Sequence, residues 1–238
     1  MSIPSHIRAL HLASRRLARE VNALSFAGSV SAVYNPLQYA KVPHELYLSR
    51  AHVRVRALFL GMNPGPFGMA QTGVPFGEVA AVRDYLGISG IVKQPRSVHP
   101  KRPVEGFACT RSEVSGRRFW GLMQEDFPNA CDFFHRAFVW NWCPLAFVST
   151  SGANVTPDKL SSSERAALEV VCDGALQRVY EIVQPKCVVG VGGFAATAAR
   201  RALGDEIEIV TLLHPSPASP AANRGWSALA RKQLAGVL

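Results

Sequence analysis

Apolar residues recur at three- and four-residue intervals over residues 7–24, 78–86, 116–126, 164–183, 194–203 and 224–234, and this spacing predicts six helices. Ser161, followed three residues later by Glu164, forms a capping-box pattern that marks the start of the fourth. Shorter β-branched or apolar runs at 53–61, 137–140, 187–191 and 207–213 predict four strands between the helices. Strands alternating with helices imply a doubly wound fold, an α/β three-layer sandwich around a central, mainly parallel four-stranded sheet. Residues 1–238 read as one domain, with a helix at about 5–24 packed on it. The longest apolar or small run, 187–199, falls short of the roughly 18–20 residues of a membrane span and contains three glycines.

In open α/β sheets, ligands bind beyond the carboxyl ends of the strands. Three of the predicted strands end beside a hydrogen-bonding side chain and a nearby proline: Asn63 before Pro64, Asn141 before the Trp142-Cys143-Pro144 turn, and His214 before Pro215. A proline stops the strand and stiffens the exit, so three polar side chains are expected to face one crevice. Gly61, Gly65 and Gly68 around Asn63 allow close backbone approach to a ligand. Phe76 offers an aromatic face for a planar ring.

Charge narrows the partner. The 238 residues carry 26 Lys+Arg against 17 Asp+Glu, a net +9, divided into 20 Arg and 6 Lys. Basic groups fall at Arg15, Arg16 and Arg19, at Arg50, Arg54 and Arg56, at Lys101 and Arg102, and at Arg117 and Arg118. Such an excess fits a polyanion bound through phosphate contacts or, equally, solvated helix faces. Five widely spaced cysteines with no C-x-x-C pair suggest reduced thiols and no metal cluster. The N-terminus lacks the apolar stretch and cleavage site of a signal peptide, so an intracellular protein is expected, cytoplasmic in a bacterium and nuclear in a eukaryote.

GMNPGPFGMAQTGVPFGEV, the stretch around Asn141, VVGVG at 188–192 and HPSPASPAANRGW together resemble the single-strand-selective monofunctional uracil-DNA glycosylases, from about Leu46 onward. The resemblance implies that Asn63 positions the attacking water and that His214 stabilises the departing base. It implies that Phe76 stacks on an everted uracil, that Asn141 reads its polar edge, and that Met62, Gly65 and Phe67 line the pocket. Met69, Gly192, Pro215, Ser216, Pro217, Ala218 and Arg224 are the implied DNA contacts. Two residues depart from the pattern: Ala218 stands where members of the family carry Arg, and Trp140 where they carry His.

The chemistry suits these residue types. Extruding a paired base costs a few kcal/mol, recovered by stacking and edge hydrogen bonds. An amide both donates and accepts, matching uracil's carbonyl and N–H. No Lys sits in the motifs to form a Schiff base, so base release without strand cleavage is expected. Gly65 suggests room at the base's C5 position and hence tolerance of 5-hydroxymethyluracil. No metal or cofactor is expected, and the partner is uracil-containing DNA, single- or double-stranded, bound by a monomer without membrane contact. Two alternatives stand beside this reading. One is a dinucleotide-binding oxidoreductase using Gly190, Gly192 and Ala195 in G-x-G-x-x-A order, although no acidic residue follows the next strand to hold a ribose. The other is a non-catalytic DNA-binding protein of the same fold.

Overall fold

The computed structural model describes residues 3–238. Four parallel strands form the central sheet: β2 (Ala57–Gly61), β3 (Ala137–Asn141), β6 (Cys187–Val191) and β7 (Ile209–Leu212), in the order β3-β2-β6-β7. All but β7 are fully buried, as their apolar sequences, broken only by Asn141 at the end of β3, require of a sheet covered on both faces. A second, antiparallel sheet joins β1 (Ala32–Tyr34), β4 (Ala146–Val148) and β5 (Asn154–Val155) in the order β1-β4-β5. Its strands of two and three residues are too short to carry a readable alternation in the sequence.

The helices are α1 (Ser5–Asn22), α2 (Pro36–Tyr39), α3 (Lys41–Leu48), α4 (Met69–Thr72), α5 (Val114–Asp126), α6 (Ala130–Arg136), α7 (Ser162–Val183), α8 (Gly193–Leu203), α9 (Pro220–Asn223) and α10 (Trp226–Gln233). Helix α8 covers one face of the sheet, where a Cβ on Gly190 would lie 2.5 Å from the Ala196 backbone. The glycine of the GVGGFA segment therefore serves a close strand–helix contact. On the other face Phe119 of α5 meets Phe59 of β2 edge-on, with centroids 5.4 Å apart. Helix α1 packs on α7, while its Arg15 pairs with Glu45 and its Arg16 with Glu20, so the N-terminal helix covers the molecule and spends part of its charge internally.

Three expected elements change shape. The 53–61 strand begins only at Ala57, because Arg54 adopts a left-handed backbone. The 78–86 helix is a single π-helical turn at its centre, Ala81–Tyr85. The 224–234 helix starts after Gly225, whose φ of 125° breaks it from α9. The Ser161–Glu164 capping box is formed at the start of α7. No helix among the described residues is long and apolar enough to cross a membrane.

Candidate active site

Because the four central strands run parallel, their carboxyl ends share one edge, and a cavity of about 520 Å³ opens there. Met62 and Asn63 beyond β2, Asn141 at the end of β3, His214 beyond β7, and Phe76 all line it. The three strand-end side chains are thus brought together, and the aromatic ring joins them.

Local packing explains each position. Gly61 pairs with Asn141 across β2 and β3. A Cβ on Gly61 would overlap the Asn141 amide oxygen and lie 2.8 Å from Phe76 Cε2, so only glycine lets amide and ring close over the strand end. Phe76 itself has a left-handed backbone, φ 52°, a rare state for a bulky residue. Its ring is stacked on Phe119, centroids 4.8 Å apart and 18° from parallel. The cost of that backbone, on the order of 1–3 kcal/mol for such residues, is offset by burial of the ring.

Asn63 Nδ2 donates to the Pro64 carbonyl at 3.3 Å and reaches that of Leu145 at 3.5 Å, while Oδ1 is engaged by no donor among the described residues. His214 lies with its ring centroid 6.2 Å from that of Phe76. Burial lowers its pKa, so the imidazole is neutral at neutral pH. Gly192, with φ 91°, passes beneath it, where a Cβ would stand 3.2 Å from His214 Cβ.

Of the other expected substrate contacts, Gly65 and Phe67 line the cavity, as do Ser216 and Pro217 from the expected DNA contacts. Ala218 and Arg224 are exposed on the segment that follows. Met69 and Pro215, expected at a DNA surface, are buried. Met69 opens α4 facing inward, with its sulfur 3.2 Å from Asn141 Nδ2, and it supports that amide from behind. The Pro215 carbonyl is held by Arg118 at 3.1 Å. The space beside Gly65 is also not open as expected: a Cβ there would overlap the carboxyl of Glu113.

Several lining residues escaped the sequence reading. Asn154 and Thr156 come from β5 and its exit, and Glu113 from the residue before α5. Arg111 places its guanidinium 3.9 Å from the centroid of the Phe67 ring, with Arg102 at 5.3 Å, a cation–π cluster at the cavity rim. Position next to a helix start was the only sequence cue to Glu113, and nothing along the chain pointed to Phe67 as the meeting place of two arginines.

A model of the uracil DNA glycosylase superfamily matches residues 49–234. The chain is 51% identical over 227 residues to the single-strand selective monofunctional uracil DNA glycosylase of Bos taurus, covering 92% of this chain and 82% of that protein. The Rattus norvegicus protein of the same name is 50% identical over 223 residues, covering 92% and 80%. The crystal structure of wild-type Pedobacter heparinus SMUG2 aligns with a TM-score of 0.64 at 19% identity, over 94% of this chain and 96% of that one, a likeness of fold.

Proposed function

The chain belongs to the uracil-DNA glycosylase superfamily, and from that premise we propose that it excises uracil from DNA by hydrolysing the N-glycosidic bond, leaving an abasic site. The observation that carries this reading is the convergence of Asn63, Phe76, Asn141 and His214 on one cavity at the sheet edge.

Phe76, braced by Phe119, stacks on the everted base, and Asn141 hydrogen-bonds its polar edge. Asn63 Oδ1 accepts from the attacking water and orients it. An amide abstracts no proton, and a weak nucleophile suffices against a sugar that already carries oxocarbenium character. Negative charge collects on the leaving uracil, where the neutral His214 donates a hydrogen bond. Among the described residues no lysine lines the cavity, so no Schiff base forms and the strand is not cut.

The cavity volume, and not an open space at Gly65, supports acceptance of C5-substituted uracils such as 5-hydroxymethyluracil. The substrate is DNA, single-stranded more readily than duplex because no pair has to be broken, and the protein acts as an intracellular monomer.

The test is release of free base from a uracil-containing oligonucleotide by wild type, Asn63→Ala and His214→Ala. Each substitution is expected to slow release by about 10²–10³-fold with DNA affinity nearly unchanged, since phosphate contacts supply most of it. Equal rates in all three proteins, or a borohydride-stable protein–DNA adduct in high yield, would refute the assignment.

A further inference from the structure

One ionisable group in the cavity wall has no part in the chemistry above. Glu113, immediately before α5, folds its carboxyl back onto the loop that follows Asn63. The backbone N–H groups of Phe67 and Gly68 lie near it and oppose part of the rise in its pKa. The carboxyl also occupies the places where two side chains would begin, since a Cβ on either Gly65 or Gly68 would lie 2.6 Å from its Oε1. Oε2 is sealed from solvent and has no hydrogen-bond partner among the described residues. The fit is close: the loop is glycine at 65 and 68, where the carboxyl lies against it.

We propose that Glu113 is a positioning residue for excision, acting through the 64–68 loop on Asn63. The role rests on the excision reading. Among the described residues Glu113 makes no ion pair. The charged or titratable groups around it are Glu78, which adds like charge, the neutral His214 on the cavity wall, Arg111 at the rim over Phe67, and Arg117 on α5, which donates to Ser112. Burial without a cation pushes the carboxyl up to about 7. Once ionised, it places negative charge in the cavity where the departing base is also becoming negative, and the transition state loses stabilisation. Excision by the wild type therefore slows as pH rises through this range.

The experiment measures single-turnover uracil release from a single-stranded oligonucleotide from about pH 5.5 to 9, with thermal melting over the same range, for wild type, Glu113→Gln and Glu113→Ala. Wild type is expected to lose about tenfold in rate per pH unit above 7. Glu113→Gln keeps an acceptor without a titrating proton, so it should stay within about threefold of wild type at pH 6 and show no alkaline decline. Glu113→Ala should lower kcat at every pH with little change in KM. The role is overturned if the glutamine variant keeps the wild-type decline or alanine keeps the wild-type kcat. Should alanine not fold, glutamine and the melting curves decide. Wild type should lose melting temperature relative to glutamine above pH 7, and superimposable curves would remove the ionisation from Glu113 while leaving excision standing. A wild type that melts as expected but releases no base would instead overturn the excision reading itself.

Discussion

His44 is wholly buried where α1, α3 and the turn after α4 meet. The Gly73 carbonyl accepts from Nδ1 at 2.7 Å, so Nδ1 carries the proton, and the Ser14 hydroxyl donates to Nε2 at 2.9 Å. Burial lowers the pKa to about 4. On acidification the unfolded chain takes up this proton first, at about 6.5, so the group's stabilisation is whole above that pH and is lost as pH falls through about 4. The interval corresponds to about 3 kcal/mol. Urea denaturation at pH 7 and pH 4 should show a loss of that order. His44→Phe should be less stable at pH 7, having lost two hydrogen bonds, yet lose far less between the two pH values. Equal losses in the two proteins would place the acid sensitivity elsewhere. Glu113 has the opposite sign: its raised pKa contributes stability below its ordinary carboxylate range that is lost as pH rises through about 7. A second residue-scale outcome concerns Phe76. Base–aromatic stacking contributes about 1–3 kcal/mol, so Phe76→Ala should cost about ten- to a hundredfold in kcat/KM for uracil release. Phe76→Leu, which keeps apolar bulk without a flat face, should recover folding and leave most of that kinetic loss in place.

Between β7 and α9 the chain has to present His214 to the cavity without a strand or helix to hold it, and Arg118 on α5 supplies the hold. Its guanidinium donates to the carbonyls of Pro215 and Ser216 at 3.1 and 3.4 Å and to Asn223 Oδ1 at 2.9 Å. Arg118→Ala should therefore loosen the His214 segment and lower kcat by about tenfold with base binding little affected, since ~1 kcal/mol per hydrogen bond is at stake. Arg118→Lys, a point donor without the planar fork, should fail to restore it. A change confined to KM would assign Arg118 to DNA contact instead. This pin shows what the sequence left hidden. The strands β2, β3 and β6 were legible because a buried parallel strand is written as a continuous apolar run, and α7 because its cap is local. The strand-end positions of Asn63, Asn141 and His214 followed from that topology. Glu113 against Gly65, Arg118 on Pro215 and Arg111 over Phe67 each join residues whose meeting is decided by tertiary packing. The left-handed Phe76 ran against local preference, being held there by Phe119 and the cavity wall.

At the scale of the whole molecule, the net charge of +9 is unevenly committed. Arg231 is held by Glu125 and Asp126 at 2.7 and 2.8 Å, and Arg201 by Asp173 at 2.6 Å, so these cations are already spent on the protein's own carboxylates. Arg111 is exposed, makes no ion pair among the described residues, and sets its guanidinium over the ring of Phe67, 3.9 Å from the centroid, beside the cavity that Phe67 lines. A guanidinium fixed by its stacking contact keeps its N–H groups for phosphate and loses little freedom on binding. Each phosphate neutralised on a single strand contributes about 0.7 to the slope of log affinity against log salt. Arg111→Ala should thus make that slope shallower by about 0.7 and weaken binding of any single strand, with or without uracil, while single-turnover release at saturating enzyme stays near wild type. Arg231→Ala removes an equal formal charge from an ion-paired position and should leave the slope unchanged. If both substitutions shift the slope alike, affinity follows net charge, and the cluster over Phe67 has no special place in holding the strand.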